Sequence, residues 1–188
     1  MKVLHIDSSI MGDASVSRKL TQQIIAQVQA KQADAQVEYL DLAKQDIPHL
    51  TTEILMGQNA EQTALGGQIL QQYLDADVIV VGAPMYNFGL PSPLKAWIDR
   101  ISVAGKTFKY TENGPVGLAG EKKVYIASSR GGVYGDDSAL DFQEGLLKTV
   151  FGFTGVTDVT VIRAEGVNMG AEAKDAALAN TTAQIQAI

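Results

Sequence analysis

The chain has 188 residues, 46% apolar and 19% charged, which is the balance of one globular domain of ordinary size. A net charge of −6 argues against a partner held through its phosphate backbone, which needs a basic surface, and equally against an anionic membrane surface. The absence of cysteine excludes disulfides, thiolate metal sites and cysteine nucleophiles, so any redox chemistry must come from a bound group.

In chain order, Lys2 to Asp7 reads as a buried strand, and Leu20, Ile24 and Val28 mark a helix by their spacing. No charged segment followed by a long apolar stretch opens the chain, and no apolar run approaches membrane-spanning length. A cytoplasmic location without membrane contact is therefore expected. Gln36 to Leu42 alternates as a strand near a sheet edge does, and Leu65, Ile69 and Tyr73 mark a second helix. Asp77 to Pro84 is a third strand, with Val78-Ile79-Val80-Val81 too continuously apolar for a half-solvated position. Leu94, Trp97, Ile98 and Ile101 follow at helical spacing. From Gly105 to Gly120 the alternation breaks, and aromatic residues, an Asn-Gly pair and a proline predict an inserted hairpin or ordered loop. Lys122 to Ser129 is strand four, Leu140, Leu147, Val150 and Phe151 predict a helix, Val159 to Ala164 is strand five, and the tail from Ala171 to Ile188 is a weaker helix.

Strict alternation of strand and helix implies an α/β fold: a parallel sheet with helices on both faces, joined by right-handed crossovers. No repeat or linker interrupts it, so one domain is expected over residues 1–188. In such sheets a ligand sits beyond the carboxyl ends of the strands, where the strand order reverses. The loops after strands one, three and four thus carry the functional question.

The first of these runs from Ser8 to Ser17, with a helix opening near Ser15 to Ser17. Free backbone N–H groups, a positive dipole end and serine hydroxyls make a phosphate cradle there; a helix cap with spare serines is the alternative. Neither G-x-G-x-x-G nor G-x-x-x-x-G-K-[ST] is present, so a terminal monophosphate fits better than a dinucleotide or triphosphate. Asp41 imitates a ribose-binding acid, but without the glycine fingerprint surface solvation is the expectation. The second loop places Tyr86 and Phe88 on either side of Asn87, which suits a planar heterocycle with a polar rim unless the aromatics are simply buried. The third, Ser128 to Gly135, carries paired glycines that admit close backbone approach to a ligand edge.

These segments resemble the FMN-dependent NADH azoreductases, a branch of the flavodoxin-like NAD(P)H:quinone reductases. The anchors are K-V-L-H-I-D-S-S with S-V-S within 2–17, A-P-M-Y-N-F-G-L-P-S-P-L-K-A-W-I-D at 83–99, T-F-K-Y-T-E-N-G-P-V-G-L at 107–118, S-R-G-G at 129–132 and G-F-T-G-V-T-D-V at 152–159. The resemblance covers nearly the whole chain. It implies a flavodoxin-like three-layer α/β/α fold with strand order 2-1-3-4-5, bound FMN, and NADH or NADPH as electron donor. It further implies two-electron transfer to quinones or azo compounds by a ping-pong mechanism in which no side chain acts as a nucleophile. By the same resemblance, Ser9, Ser15, Ser17 and the Val16 backbone hold the ribityl phosphate. Met85, Tyr86, Asn87 and Phe88 line the isoalloxazine, and Ser129, Arg130, Gly131 and Gly132 close its pyrimidine end. The family is similar in forming homodimers with active sites at the interface, which makes Tyr110 and Phe151 candidate pocket walls, with hairpin and helix packing as the alternative.

His5 and His49 are too separated to offer metal-ligand spacing, and each reads as structural. Asp136-Asp137 and Asp99-Arg100 read as solvated faces or helix-start charges and not as acid/base pairs, and no G-x-S-x-G elbow activates a serine. Two other functions compete: a flavodoxin-type carrier passing single electrons to protein partners, and a phosphoester hydrolase using the serine-rich loop.

Overall fold

A computed structural model describes residues 1–136 and 138–188; Asp137, half of the expected Asp136-Asp137 face, lies outside the described residues. Five parallel strands form one sheet: β1 (Lys2–Asp7), β2 (Gln36–Asp41), β3 (Val78–Pro84), β6 (Lys123–Ser129) and β7 (Asp158–Ala164), in the order β2-β1-β3-β6-β7. Counting only these five gives the expected order 2-1-3-4-5. The helices are α1 (Val16–Lys31), α2 (Thr52–Leu55), α3 (Ala60–Asp75), α4 (Ser92–Ile101), α5 (Glu144–Phe153) and α6 (Ala171–Gln186).

Both sheet faces are covered, which explains the unbroken apolar runs of β3 and β6. One face packs Leu4, Ile6, Ile79 and Val81 against Tyr73, Trp97 and Phe151. The other packs Val3, Val80 and Tyr125 against Leu20, Ile24 and Val28 of α1. Residues two apart on each strand therefore share a face, as the pleat requires. The Ser15 side chain accepts from the Arg18 N–H at 3.2 Å and caps α1, and Asn59 caps α3 from the Gln62 N–H at 3.1 Å.

The inserted segment is a hairpin of β4 (Phe108–Thr111) and β5 (Gly114–Gly117), antiparallel, turning at Glu112-Asn113, with Gly114 (φ 104°) opening the second strand opposite Thr111. Its second strand lies against the turn between α5 and β7. A Cβ built on Gly117 would stand 2.0 Å from the Gly155 nitrogen, so only glycine permits this approach.

Three expectations need correction, and two short helices are additional. Leu140 precedes α5 and is exposed, because that helix begins only at Glu144. Arg100 is not on a solvated face: it is buried, donating to the Pro48 carbonyl and Gln62, whereas its neighbour Asp99 pairs with Lys95. Asp41 is likewise withdrawn from solvent, in an ion pair described below. The short helices at Gly12–Ala14 and Thr52–Leu55 had no counterpart in the sequence pattern. Among the described residues no helix is long and apolar enough to cross a membrane.

Candidate cofactor site

A cleft of about 240 Å³ opens beyond the carboxyl ends of the strands. Ser9, Ser15 and Val16 reach it from the turn after β1, Met85 and Tyr86 from the turn after β3, and Ser129 and Gly131 from the end of β6. A fourth turn, after β7, adds Val167 and Asn168, and α6 adds Lys174. Larger hollows lie elsewhere, one of about 580 Å³ between α3 and α4 and one of about 360 Å³ beside the connection after β2, but neither joins the turns after β1, β3 and β6.

The turn after β1 is fixed from below by a buried charge network. The Arg18 guanidinium meets Asp41 edge-on, Nη2 to Oδ1 at 2.6 Å and Nη1 to Oδ2 at 3.0 Å. Its remaining donors, Nε and Nη2, converge on the Ser9 carbonyl at 3.2 and 2.7 Å. Tyr39 accepts from Arg18 Nη1 and donates to Asp7, both at 3.0 Å. Burial alone would push the Asp41 carboxyl up, but the Arg18 hydrogen bonds and charge hold it below the usual carboxylate range. Burial and the neighbouring Asp7 carboxylate push the Tyr39 phenol up to about 12.

The turn after β3 is strained. Tyr86 and Gly89 exchange two N–H to C=O bonds at 3.0 Å, and between them Asn87 (φ 49°) and Phe88 (φ 69°) both occupy the left-handed region. Two positive φ values in succession are what a type I′ turn requires, and a phenylalanine there is costly. Such strain is found where surrounding structure over-determines a functional geometry. The consequence here is that Asn87 and Phe88 stand exposed at the rim.

At the end of β6 the backbone runs beside the turn after β7. The Val167, Asn168 and Gly166 N–H groups donate to the carbonyls of Arg130, Gly131 and Gly132 at 3.2, 3.1 and 2.9 Å. A Cβ on Gly131 would lie 2.7 Å from the Asn168 amide nitrogen, whereas one on Gly132 would meet only the Tyr134 ring at 3.6 Å. Of the two glycines, only Gly131 stands in close approach, to the end of the Asn168 side chain.

Of the residues singled out in the sequence, Ser9, Ser15, Val16, Met85, Tyr86, Ser129 and Gly131 line the same cleft. Ser17 is buried behind them, its hydroxyl 3.1 Å from that of Ser15. The Arg130 side chain turns away: it is wholly buried among Asp141, Glu144 and Glu165, with Gln143 accepting from its Nε. Its N–H is also committed, to the Ala164 carbonyl. Phe151 is fully buried beside Tyr73 and serves core packing instead of a pocket wall. Tyr110, on β4, is 75% exposed and touches Phe108 edge-on. Asn168 and Lys174 were not among the residues singled out; G-V-N-M-G at 166–170, beyond the last strand, was the local signal for Asn168, and nothing in the sequence marked Lys174.

A parallel sheet in this order, with a serine-rich helix start and three further turns converging on one cleft, defines the flavodoxin-like class. A family model described as "Flavodoxin-like fold" matches residues 1–188. The chain is 54% identical to an FMN-dependent NADH:quinone oxidoreductase of Azospirillum brasilense, over all of this chain and 97% of that protein. It is 50% identical to a protein of the same description from Stenotrophomonas maltophilia, over 98% of this chain and 94% of that protein. An azoreductase structure from Bacillus anthracis strain Sterne superposes with a TM-score of 0.89 at 30% identity, covering all of both chains. An FMN-dependent NADH-azoreductase from the Ames Ancestor strain, solved in complex with FMN, gives 0.88 at 27% identity over 98% of this chain and 95% of that one. The chain belongs to the flavodoxin-like family that these oxidoreductases and azoreductases share.

Proposed function

We propose that the protein is an FMN-dependent oxidoreductase that carries two electrons from NADH to quinones and azo compounds. The observation that carries this reading is the convergence of separate strand-end turns on one cleft, in a chain half identical to NADH:quinone oxidoreductases over its whole length. The residues present fit the group. At one end, the Ser9 and Ser15 hydroxyls and the open N–H groups at the start of α1 suit a phosphate, and Lys174 is the one charged side chain among those lining the cleft. At the other, Gly131 keeps its backbone bare against Asn168 where a Cβ would intrude.

Bound FMN would supply reversible two-electron chemistry, accepting hydride from the nicotinamide and delivering it to the acceptor. The chain's own part is positional. Ser9, Ser15, the Val16 backbone and Lys174 would hold the phosphate end with Ser17 backing the Ser15 hydroxyl, Met85 to Phe88 border the ring, and the Gly131 and Gly132 N–H groups supply donors at its pyrimidine edge beyond Ser129 and Arg130. No side chain is needed as a nucleophile.

Apolar side chains stand exposed on the same turns: Ile10 and Met11, Phe88, Val133 and Met169. Together with exposed Tyr110 on the hairpin, they support a homodimer in which a second copy covers the cleft and narrows entry to flat acceptors. A setting in the cytoplasm, where NADH is available, accords with this reading.

Purified protein should be yellow, or become so on incubation with FMN, and NADH added without oxygen should bleach the flavin absorbance before quinone or azo dye restores it. A colourless protein that takes up no flavin would end this reading. Light scattering should give twice the chain mass of 20.0 kDa.

A further inference from the structure

We propose that Arg18 is a positioning residue for the phosphate end of the cleft, acting through the Ser9 carbonyl. The inference rests on the reading that FMN phosphate occupies that end.

Burying a guanidinium is costly unless every donor is used, and here the side chain is only 11% exposed. An ion pair for its own sake needs one edge of the fork, and Asp41 takes that edge in bidentate fashion. The other edge is spent on the carbonyl of Ser9, a residue that lines the cleft while Arg18 itself does not. Asp41 ends β2 in register with Asp7 at the end of β1, so the fork ties the Ser9 peptide to a rigid part of the sheet. From the opposite side the Tyr86 hydroxyl lies 3.2 Å from Ser9 Oγ and 3.3 Å from the Ile10 N–H. The Ser9–Ile10 peptide is held at both ends, which aims the Ser9 hydroxyl before any ligand arrives. A planar fork achieves this and a flexible ammonium does not, so lysine is no substitute.

The test titrates FMN and riboflavin, which lacks the phosphate, into flavin-free protein and follows quenching of flavin fluorescence. Wild type, Arg18→Met, Arg18→Lys, Ser9→Ala and the Arg18→Met/Ser9→Ala double variant are compared, with thermal unfolding recorded for each. Arg18→Met should weaken FMN by about tenfold, within the coupling range of contacting residues, and riboflavin far less. Arg18→Lys should not restore FMN affinity, and Arg18→Met should cost much less once Ser9 has lost its hydroxyl. If Arg18→Met does not fold, Asp41→Asn, which loosens the other edge of the fork at constant volume, enters the same cycle. Rescue by lysine, or an equal loss in the Ser9→Ala background, would reduce Arg18 to a distant charge or a stabilising pair and overturn the inference. Wild type that binds riboflavin but gains nothing from the phosphate would overturn it as well. Wild type that binds neither flavin would remove the cofactor reading itself, and this inference with it.

Discussion

The hydroxyls of Ser9 and Tyr86 lie 3.2 Å apart, which ties the turn after β1 to the turn after β3 across the cleft they both line. Tyr86 Oη also accepts from the Ile10 N–H at 3.3 Å. Tyr86→Phe keeps the ring and removes both contacts. A net hydrogen bond is worth about 0.5–1.5 kcal/mol, so FMN affinity should fall by roughly three- to tenfold. Fluorescence titration measures it directly, and an unchanged dissociation constant would show that the two turns need no such tie.

The two glycines that end β6 should behave differently. Gly131→Ala forces the Asn168 amide out of the cleft lining, since the new methyl would stand 2.7 Å from its nitrogen. That atom ends a flexible side chain, so stability should change by less than about 1 kcal/mol, while FMN affinity drops. Gly132→Ala makes only ordinary contact with Tyr134 and should bind flavin as wild type does. Equal affinities for the two variants would remove Asn168 from the site.

How far the sequence foretold this arrangement depends on whether the determinant is local. The runs in β1, β3 and β6 were readable because both sheet faces are buried, leaving no polar alternation to confuse them. The hairpin signalled by Asn113 and Gly114 and the Ser15 cap were readable because each acts within four residues. Arg18 and Asp41 were not: their pairing joins α1 to β2 across 23 positions, and a lone aspartate near a strand end looks solvated until the fold supplies its partner. Leu140 misled for the opposite reason. Its apolar side chain continued a helical spacing, but the Arg130–Asp141 ion pair and the Asp141 bonds to the N–H groups of Gln143 and Glu144 start α5 later. Phe151 carried family-like surroundings yet points into the core, a matter of helix rotation that composition does not reveal.

Lys174 supplies the one charge among the side chains lining the cleft. If it faces a phosphate, Lys174→Gln should lower FMN affinity at low salt and flatten its dependence on ionic strength, because that attraction is what salt screens. Riboflavin binding should not respond. Parallel salt dependences for wild type and variant would leave the phosphate held by serines and backbone alone.

Phe88 offers a measure of the strain in its turn. At φ 69° glycine is free of the penalty that any Cβ incurs, about 1–2 kcal/mol in this region. Phe88→Gly and Phe88→Ala both remove the exposed ring, so both should slow turnover alike. In urea unfolding, however, the glycine variant should be the more stable by about 0.5–1 kcal/mol after its greater unfolded freedom is subtracted. An alanine variant as stable as glycine would mean that the turn stores no strain.

The Asp41–Arg18 pair should leave a mark on stability against pH. Asp41 is held below its ordinary value of 3.8 in the folded protein, against the upward push of burial, by the Arg18 hydrogen bonds and charge. As acid is added, the unfolded chain takes up a proton at this position before the folded chain does. The unfolded state then binds more protons, and stability declines as pH falls. The contribution is complete above about pH 5 and disappears progressively from near pH 4 down through the lowered value. Asp41→Asn removes the titration and leaves Arg18 facing a neutral partner, so at pH 7 the variant should be less stable than wild type. Its deficit should then narrow as the pH drops below 4, although both proteins still lose the share of Asp141, whose carboxyl Arg130 holds low against burial in the same way. Urea midpoints taken between pH 3 and 7 would show the two curves converging. Curves that stay parallel through that window would mean that Asp41 draws nothing from Arg18 in the folded state, whatever their distance.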